Sequence, residues 1–409
     1  MAFGAPSHRI ESQLAATALI LSIDAQFIHL PSLVIASFGD PDTRTSETHF
    51  IKSGANLDLG KLHQVHRIYR AVVHDEMGPE EGTRELHEIL HSPRVWKRWE
   101  RMILAFLSCG LIAPMFFGGS VLDAIASGAL GMIMDVLSGV AGGADMYSNV
   151  FEITTATVIS FVARGLSVTG IFCYGATASA GVCLILPGYA ILCGSLELAS
   201  KNLVSGSVRM VYAIIYSLFL GFGITIGSDL FYIVDPPARR AAEAILTFGA
   251  ETISEIYLIG LVPLYSFLTG LWLYQPLRSK ELPVMVLISS VGFGVCNAAG
   301  RWIFNRDDVV SACGAFVIGI MGNVYSRIFK GTAFTSMVPG ILFLVPSGIS
   351  AAGGLAANAR DRHQSDAFSA GLLIGARMIQ VSIGITVGLF ASGMLIYSFG
   401  RKKGALFAF

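Results

Sequence analysis

Charge is what this chain has least of. Asp, Glu, Lys and Arg make up only 14% of its 409 residues, and the two signs cancel to a net of zero. Without a basic excess or a block of like charges, the chain carries no electrostatic footprint for nucleic acid. Cysteine is sparse in pattern as well as in number. Cys109, Cys173, Cys183, Cys193, Cys296 and Cys313 all lie in apolar runs with no CxxC spacing, so they read as small buried side chains. The N-terminus has no basic flank leading into an apolar core, which removes a secretory signal peptide and keeps the front of the chain in the cytosol. A phosphate-cradling GxxxxGK[ST] loop is missing too, which disfavours direct ATP drive.

What is abundant is apolar surface, at 53% of residues. A soluble chain of this length cannot hide that much. The charges are unevenly placed: 24 of the 56 fall in the first 101 positions. The pattern predicts an α-helical polytopic membrane protein with a small N-terminal cytosolic α/β domain. Apolar stretches of membrane-spanning length number about ten, five between positions 101 and 234 and five between 253 and 398. The expected organisation is therefore a cytosolic domain at 1–100, a first five-helix half at 101–234, a hinge loop at 235–252 and a second half at 253–409. The hinge opens with Asp235-Pro236-Pro237, which ends the preceding helix. With the N-terminus inside, the segments placed on the cytosolic side hold 13 Lys and Arg against 7 on the other side. That bias favours cytosolic N- and C-termini and an even number of spans.

The front domain alternates differently. AQFIHLPSLVIASFG at 25–39 and THFIKS after it are rich in β-branched and aromatic residues and read as strand. In 61–77, Leu62, Val65, Tyr69, Val72 and Val73 recur at helical spacing, and Gly78-Pro79 closes that helix and opens the next. Further on, two places echo each other. ILPGYAILCG is followed by GFGITIG, with Pro187 36 residues before Gly223, and VPSGISAAGG is followed by GITVG, with Pro346 38 residues before Gly384. These features fall in the fourth and ninth stretches. A displacement of five spans is odd, so the second copy enters the bilayer from the opposite side, which makes a 5+5 inverted repeat.

The same residues carry a family resemblance. GAPSHRIE, FIHLPSLVIASFGDPDTRTSETHFIK, LHQVHRIYRAVVHDEMG, LPGY, SLELASKNLVSGSVRMVYAIIYSLFLGFGITIG and VPGILFLVPSG resemble the threonine/serine exporter family. The likeness is to its fungal branch, the pheromone-regulated membrane protein 10-like proteins, and covers essentially the whole chain. It implies a ten-span secondary transporter that exports small amino acids of the threonine/serine class, driven by protons. It also implies that a carboxylate or amide followed by a Gly and an Arg, here Glu197, Gly206 and Arg209, recurs in its region. One departure is that fungal relatives carry a longer segment upstream of MAFGAPSHRIE.

Broken helix at membrane depth survives only where protein or a cavity satisfies its backbone, so Pro187-Gly188, Pro339-Gly340 and Pro346-Ser347-Gly348 are the expected walls of a substrate site. Asn297 is added as an amide able to bind an amino or carboxylate group. Ionisable groups in the bilayer cost about 2.5–3.5 kcal/mol each, which makes Asp135, Glu152, Glu197, Arg209 and Arg377 the candidates for proton coupling or a charge network. Asp135 or Glu152 paired with Arg164 or Arg377 is the structural alternative. Histidines concentrate in the front domain, with His63/His66 and His87/His91 at helical spacings; a metal site would need more convergent ligands. His8, Arg9 and Glu11 could form a polar cluster docking the front domain on the membrane part. No metal, cofactor or enzymatic activity is expected. The expected partners are the lipid bilayer, a small amino acid and protons, with self-association into a homo-oligomer left open. The competing expectation is a membrane-anchored hydrolase-like protein or a scaffold acting through the front domain.

Overall fold

A computed structural model of the chain describes residues 2–40, 45–52, 57–142, 150–237, 255–303, 307–329, 331–351 and 367–398. Its front part opens with α1 (Ser7–Ile20) and three antiparallel strands in the order β1 (Ala25–Leu30), β2 (Leu33–Asp40), β3 (Thr45–Lys52). The run expected as one strand is a hairpin. Pro31 and Ser32 make a two-residue turn that pairs Leu30 with Leu33, and Ser32 takes a positive φ of 67° there. β1 leans on α1, while β3 is exposed along its whole length. Helix α2 (Leu59–Val73) starts where the Asp58 carboxylate accepts the Lys61 amide at 2.9 Å, and α3 (Pro79–His91) starts with proline in its first turn.

Each of the ten apolar stretches carries helix. The first half holds α4 (Arg98–Phe117), α5 (Val121–Ala141), α6 (Phe151–Ser167), the short pair α7 (Tyr174–Gly181) and α8 (Gly188–Ala199), and α9 (Leu203–Val234). The second holds α10 (Glu255–Trp272), α11 (Leu282–Trp302), α12 (Asp307–Phe329), α13 (Ala333–Ala351) and α14 (Ala367–Ser398). Among the described residues, six helices are long and apolar enough to cross a membrane, and a seventh span results if α7 and α8, bent by 51°, count as one. At 17 residues α6 falls short of that length. Most of the 235–252 hinge lies outside the described residues, although α9 does end at Val234, ahead of Pro236-Pro237.

The two sets of helices pack alike. α9 lies along α6 and α14 along α12, each pair brought together by two glycines one helical turn apart. A methyl on Gly227 would run into the Thr157 carbonyl and sit 2.8 Å from Ser160 Cβ and 3.0 Å from the Phe161 amide. On Gly388 it would run into the Ala312 carbonyl and sit 2.9 Å from both Ala315 Cβ and the Phe316 amide. Gly223 and Gly384 repeat the match against Ile153/Ala156 and Asp308/Ser311. Every position on α12 is its α6 equivalent displaced by one constant offset. Small residues let helix backbones touch in this way when lipid supplies no hydrophobic drive.

One expectation fails in the second half. Pro339 and Pro346 do not break α13, which runs helical from Ala333 to Ala351. A proline inside a helix forfeits a hydrogen bond and crowds the preceding turn. Here Val338, Ile341, Phe343, Leu344 and Val345 are all buried on a helix packed by α8, α10, α11, α12 and α14, and that burial outweighs the loss. Phe343 anchors the centre edge-on against Tyr265 (4.8 Å between ring centroids), Phe293 (5.1 Å) and Phe116 (5.3 Å).

Candidate transport site

The break in the first half has a local cause. Leu186 precedes Pro187, whose ring disfavours helical backbone in the residue before it, and Leu186 is extended at φ −61°, ψ 140°. A short 3-10 turn, Cys183–Ile185, links the end of α7 to this kink, and α8 begins at Gly188. The small residue is needed for contact with the other half: a methyl on Gly188 would sit 2.9 Å from Leu342 and 3.2 Å from Val345 of α13. The Pro187-Gly188 break therefore lies against the turn of α13 that leads into Pro346.

A cavity of about 150 Å³ opens at this junction, well below the roughly 300–1,000 Å³ of drug-sized pockets. The break contributes Cys183, Leu184, Leu186, Gly188 and Tyr189, α10 contributes Tyr265, Thr269 and Trp272, and α13 contributes Leu342 and Val345. Leu57 and Leu273 complete the lining. No lining side chain is charged. The polar groups are hydroxyls, a thiol, the Trp272 indole N–H, which has no hydrogen-bond partner among the described residues, and the backbone of the break. The first amides of α8 carry the positive end of its dipole and suit a carboxylate.

Toward the far end of α8 lies a buried ion pair. Glu197 is wholly buried, and its Oε1 accepts the Arg209 guanidinium at 3.1 Å and the backbone amide of Ser7 at 2.7 Å. Its second oxygen has no partner among the described residues. Of the expected docking cluster His8, Arg9 and Glu11, Glu11 makes the direct hydrogen bond to the membrane helices. Glu11 accepts the His29 amide at 2.7 Å and the Asn202 side chain at 3.2 Å, His29 Nδ1 bonds the Ser7 hydroxyl at 2.7 Å, and Ser205 donates to the His29 carbonyl at 3.0 Å. Arg9 reaches His66 Nδ1 at 3.0 Å. Burial, with Arg9 and Arg209 close by, holds the His8 ring down to about 4, and burial beside Arg209 does the same to His29.

The remaining candidates scatter. Asp135 pairs with Arg101 at 2.9 Å rather than with Arg164 or Arg377, and Arg101 also donates to the Tyr274 hydroxyl at 2.6 Å. Glu152, in the first turn of α6, is hydrogen-bonded by Tyr212. Arg377 donates to Gln380 on its own helix. Arg164 stacks on Tyr174, 3.3 Å from the ring centroid, and donates to Ser228 at 2.9 Å. Asn297 is exposed on α11 and does not join the cavity; helical phase turns it away from Cys296, which is buried. Pro339 and Gly340 lie in unbroken helix, with Gly340 packed on Ile318. Pro346 is buried at the edge of the cavity wall, while the side-chain environment at Ser347 and Gly348 lies outside the described residues. His63 meets Glu281 at 2.7 Å, and the His87 and His91 rings face each other 4.2 Å apart on an exposed helix. Among the described residues no three potential metal ligands converge.

Tyr189, Tyr265, Thr269 and Trp272 were not singled out from the sequence. One signal was present: Ser266, Thr269 and Trp272 recur every third residue along α10, and Gln275 continues the spacing just past its end.

Several apolar helices, one of them broken around a small cavity, make this a polytopic helical membrane protein. The chain belongs to the threonine/serine exporter family: a family model described as "Putative threonine/serine exporter" matches residues 1–231, and a second, "Threonine/Serine exporter, ThrE", matches 262–395. Proteins named "Pheromone-regulated membrane protein 10" match all of this chain. Those of Kluyveromyces lactis, Eremothecium gossypii and Saccharomyces cerevisiae are 42%, 42% and 41% identical to it. The chain spans about half the length of these relatives, covering 43%, 56% and 54% of them. No solved structure matches.

Proposed function

We propose that this chain is a proton-coupled secondary transporter that exports small amino acids of the threonine/serine class by alternating access at the break between α7 and α8. The observation that carries the proposal is the small uncharged cavity at the contact of Pro187-Gly188 with α13. A zwitterion there would set its carboxylate on the first amides of α8 and its ammonium on the carbonyls freed by the 3-10 turn, with the Tyr189, Tyr265 and Thr269 hydroxyls near its side chain. Because no charged side chain lines the cavity, charged substrate side chains would be excluded by desolvation.

In the same proposal the matched glycine joints are the two copies of a 5+5 inverted repeat of ten spans, with domain limits near residues 100, 234 and 252 and both termini cytosolic, in line with the distribution of basic residues. The proton is carried by Glu197, whose pairing with Arg209 leaves one carboxylate oxygen free of partners among the described residues. Asp135, Glu152 and Arg377 then serve as fixed charges. The test is efflux of labelled threonine and serine from proteoliposomes with and without a pH gradient. Gradient-dependent flux that Glu197→Gln uncouples supports the proposal; absence of such flux across an amino-acid panel overturns it.

A further inference from the structure

The front part of the chain is docked on both helical halves at once. Toward the first half, Ser7 donates its amide to Glu197, Glu11 accepts from Asn202, and Ser205 donates to the His29 carbonyl. The hydroxyl of Tyr189, a residue of the cavity wall next to the helix break, donates to the Gly4 carbonyl. Toward the second half, the Leu59 amide donates to the Leu273 carbonyl at 3.2 Å, His63 meets Glu281, and Gly60 is so close to the Tyr274 carbonyl that a methyl there would sit 2.6 Å from it. Phe3 and Asp58 tie these two sets together through one backbone hydrogen bond. Leu57 and Leu273 sit directly on the cavity.

We propose that the segment Gly4 to Arg9, with α1 and β1, is the inner gate of the cavity, and that it leaves Glu197 and Tyr189 when His8 and His29 take up protons. The inference rests on the reading of the cavity as the transport site. Its geometric basis is that both histidines are buried where the gate meets α8 and α9. His8 faces Arg9 on its own helix, Arg209 on α9 and, through Ser7, the Glu197 carboxylate on α8. Neither ring nitrogen of His8 has a partner among the described residues. His29 faces the Ser7 hydroxyl and Glu11 on α1, and Arg209 and Ser205 on α9. Glu197 is already paired with Arg209, so a proton added to His8 meets the unbalanced charge of Arg9, while one added to His29 is opposed chiefly by burial beside Arg209.

The sign follows from linkage. Both rings are held at about 4 when docked, against an ordinary 6.5. The docked state therefore keeps its full advantage above about pH 6.5 and loses it as the pH falls toward 4. Between about pH 7.5 and about pH 5.5, each histidine shifts the docking equilibrium by roughly tenfold, or about 100-fold together.

Cys183 in the cavity wall reports the gate, exposed Cys173 serves as the internal reference, and buried Cys109 reports global opening. The full chain in nanodiscs is treated with dithiodipyridine, a thiol reagent that works in acid, and the modification of each cysteine is read by mass spectrometry. The Cys183-to-Cys173 ratio is expected to rise on the order of tenfold or more from about pH 7.5 to about pH 5.5, with Cys109 unmodified. The double variant His8→Gln/His29→Gln should flatten that dependence. An unchanged ratio in the parent chain, an equal rise at Cys109, or an undiminished rise in the double variant overturns the gate. Excess threonine is added in a separate arm. Protection of Cys183 without acid dependence overturns the gate alone, and acid dependence without protection overturns the substrate reading alone.

Discussion

The two helical halves share a joint and differ at its neighbour. In both, the last helix lies on the third through a pair of glycines whose surroundings agree to within about 0.1 Å at Gly227 and Gly388. The fourth element does not agree. In the first half it is split at Leu186-Pro187 into α7 and α8, whereas in the second, α13 carries Pro339 and Pro346 inside continuous helix. A proline alone therefore does not break a helix here. The break falls at Leu186-Pro187, where Leu186 is extended, although that segment is buried as α13 is. The glycine joints bring the helices of each pair together, and the unequal fourth element lines the cavity of the proposed site.

The comparison can be broken most severely at its contact point. Gly188→Leu drives a side chain into Leu342 and Val345 and is expected to abolish transport while membrane insertion, followed by glycosylation-site mapping, persists. Next is Glu197→Ala, which strands the Arg209 guanidinium. Removing one partner of a buried pair costs on the order of 3–5 kcal/mol, and thermal unfolding in detergent should show a larger loss than for Asp135→Asn, whose partner Arg101 keeps its bond to Tyr274.

The joints themselves come third. Gly227→Ala and Gly388→Ala should each destabilise by about 1–3 kcal/mol and by similar amounts. Gly294→Ala, at a position with open space around it, should not. Unequal losses would separate the two joints. The smallest effect is expected from Pro339→Ala. It restores a missing helical hydrogen bond in a helix that is already continuous, so transport should stay within about twofold, while Pro187→Ala, which permits Leu186 to turn helical, should slow it by about tenfold or more.

Much of this was legible along the chain because membrane helices are written locally. Apolar length marks the helices, Gly78-Pro79 marks where one helix ends and the next starts, and the GFGITIG and GITVG echo points to the joints that the fold then displays. The β-hairpin was half legible: composition showed strand, but the turn at Pro31-Ser32 depended on a positive φ at Ser32 that a serine rarely signals. Asn297 lies exposed on α11 and away from the cavity, because the face an amide takes in an apolar run is set by packing and not by its neighbours in sequence. Asp135 pairs with Arg101, at the start of α4, and not with Arg164 or Arg377. The polar cluster of His8, Arg9 and Glu11 pointed to docking on the membrane part, where Glu11 meets Asn202 while Arg9 turns to His66.

The sequence by itself determined that this protein is helical and membrane-embedded, where its helices run, and that two of its segments repeat, since hydrophobic length and close-packing glycines act within a few residues. Only the tertiary structure decided which prolines break a helix, which carboxylate is buried, and that the first residues of the chain dock on Glu197 and Tyr189. Each of those outcomes depends on burial and charge supplied by partners up to about 190 positions away, and no local pattern encodes them.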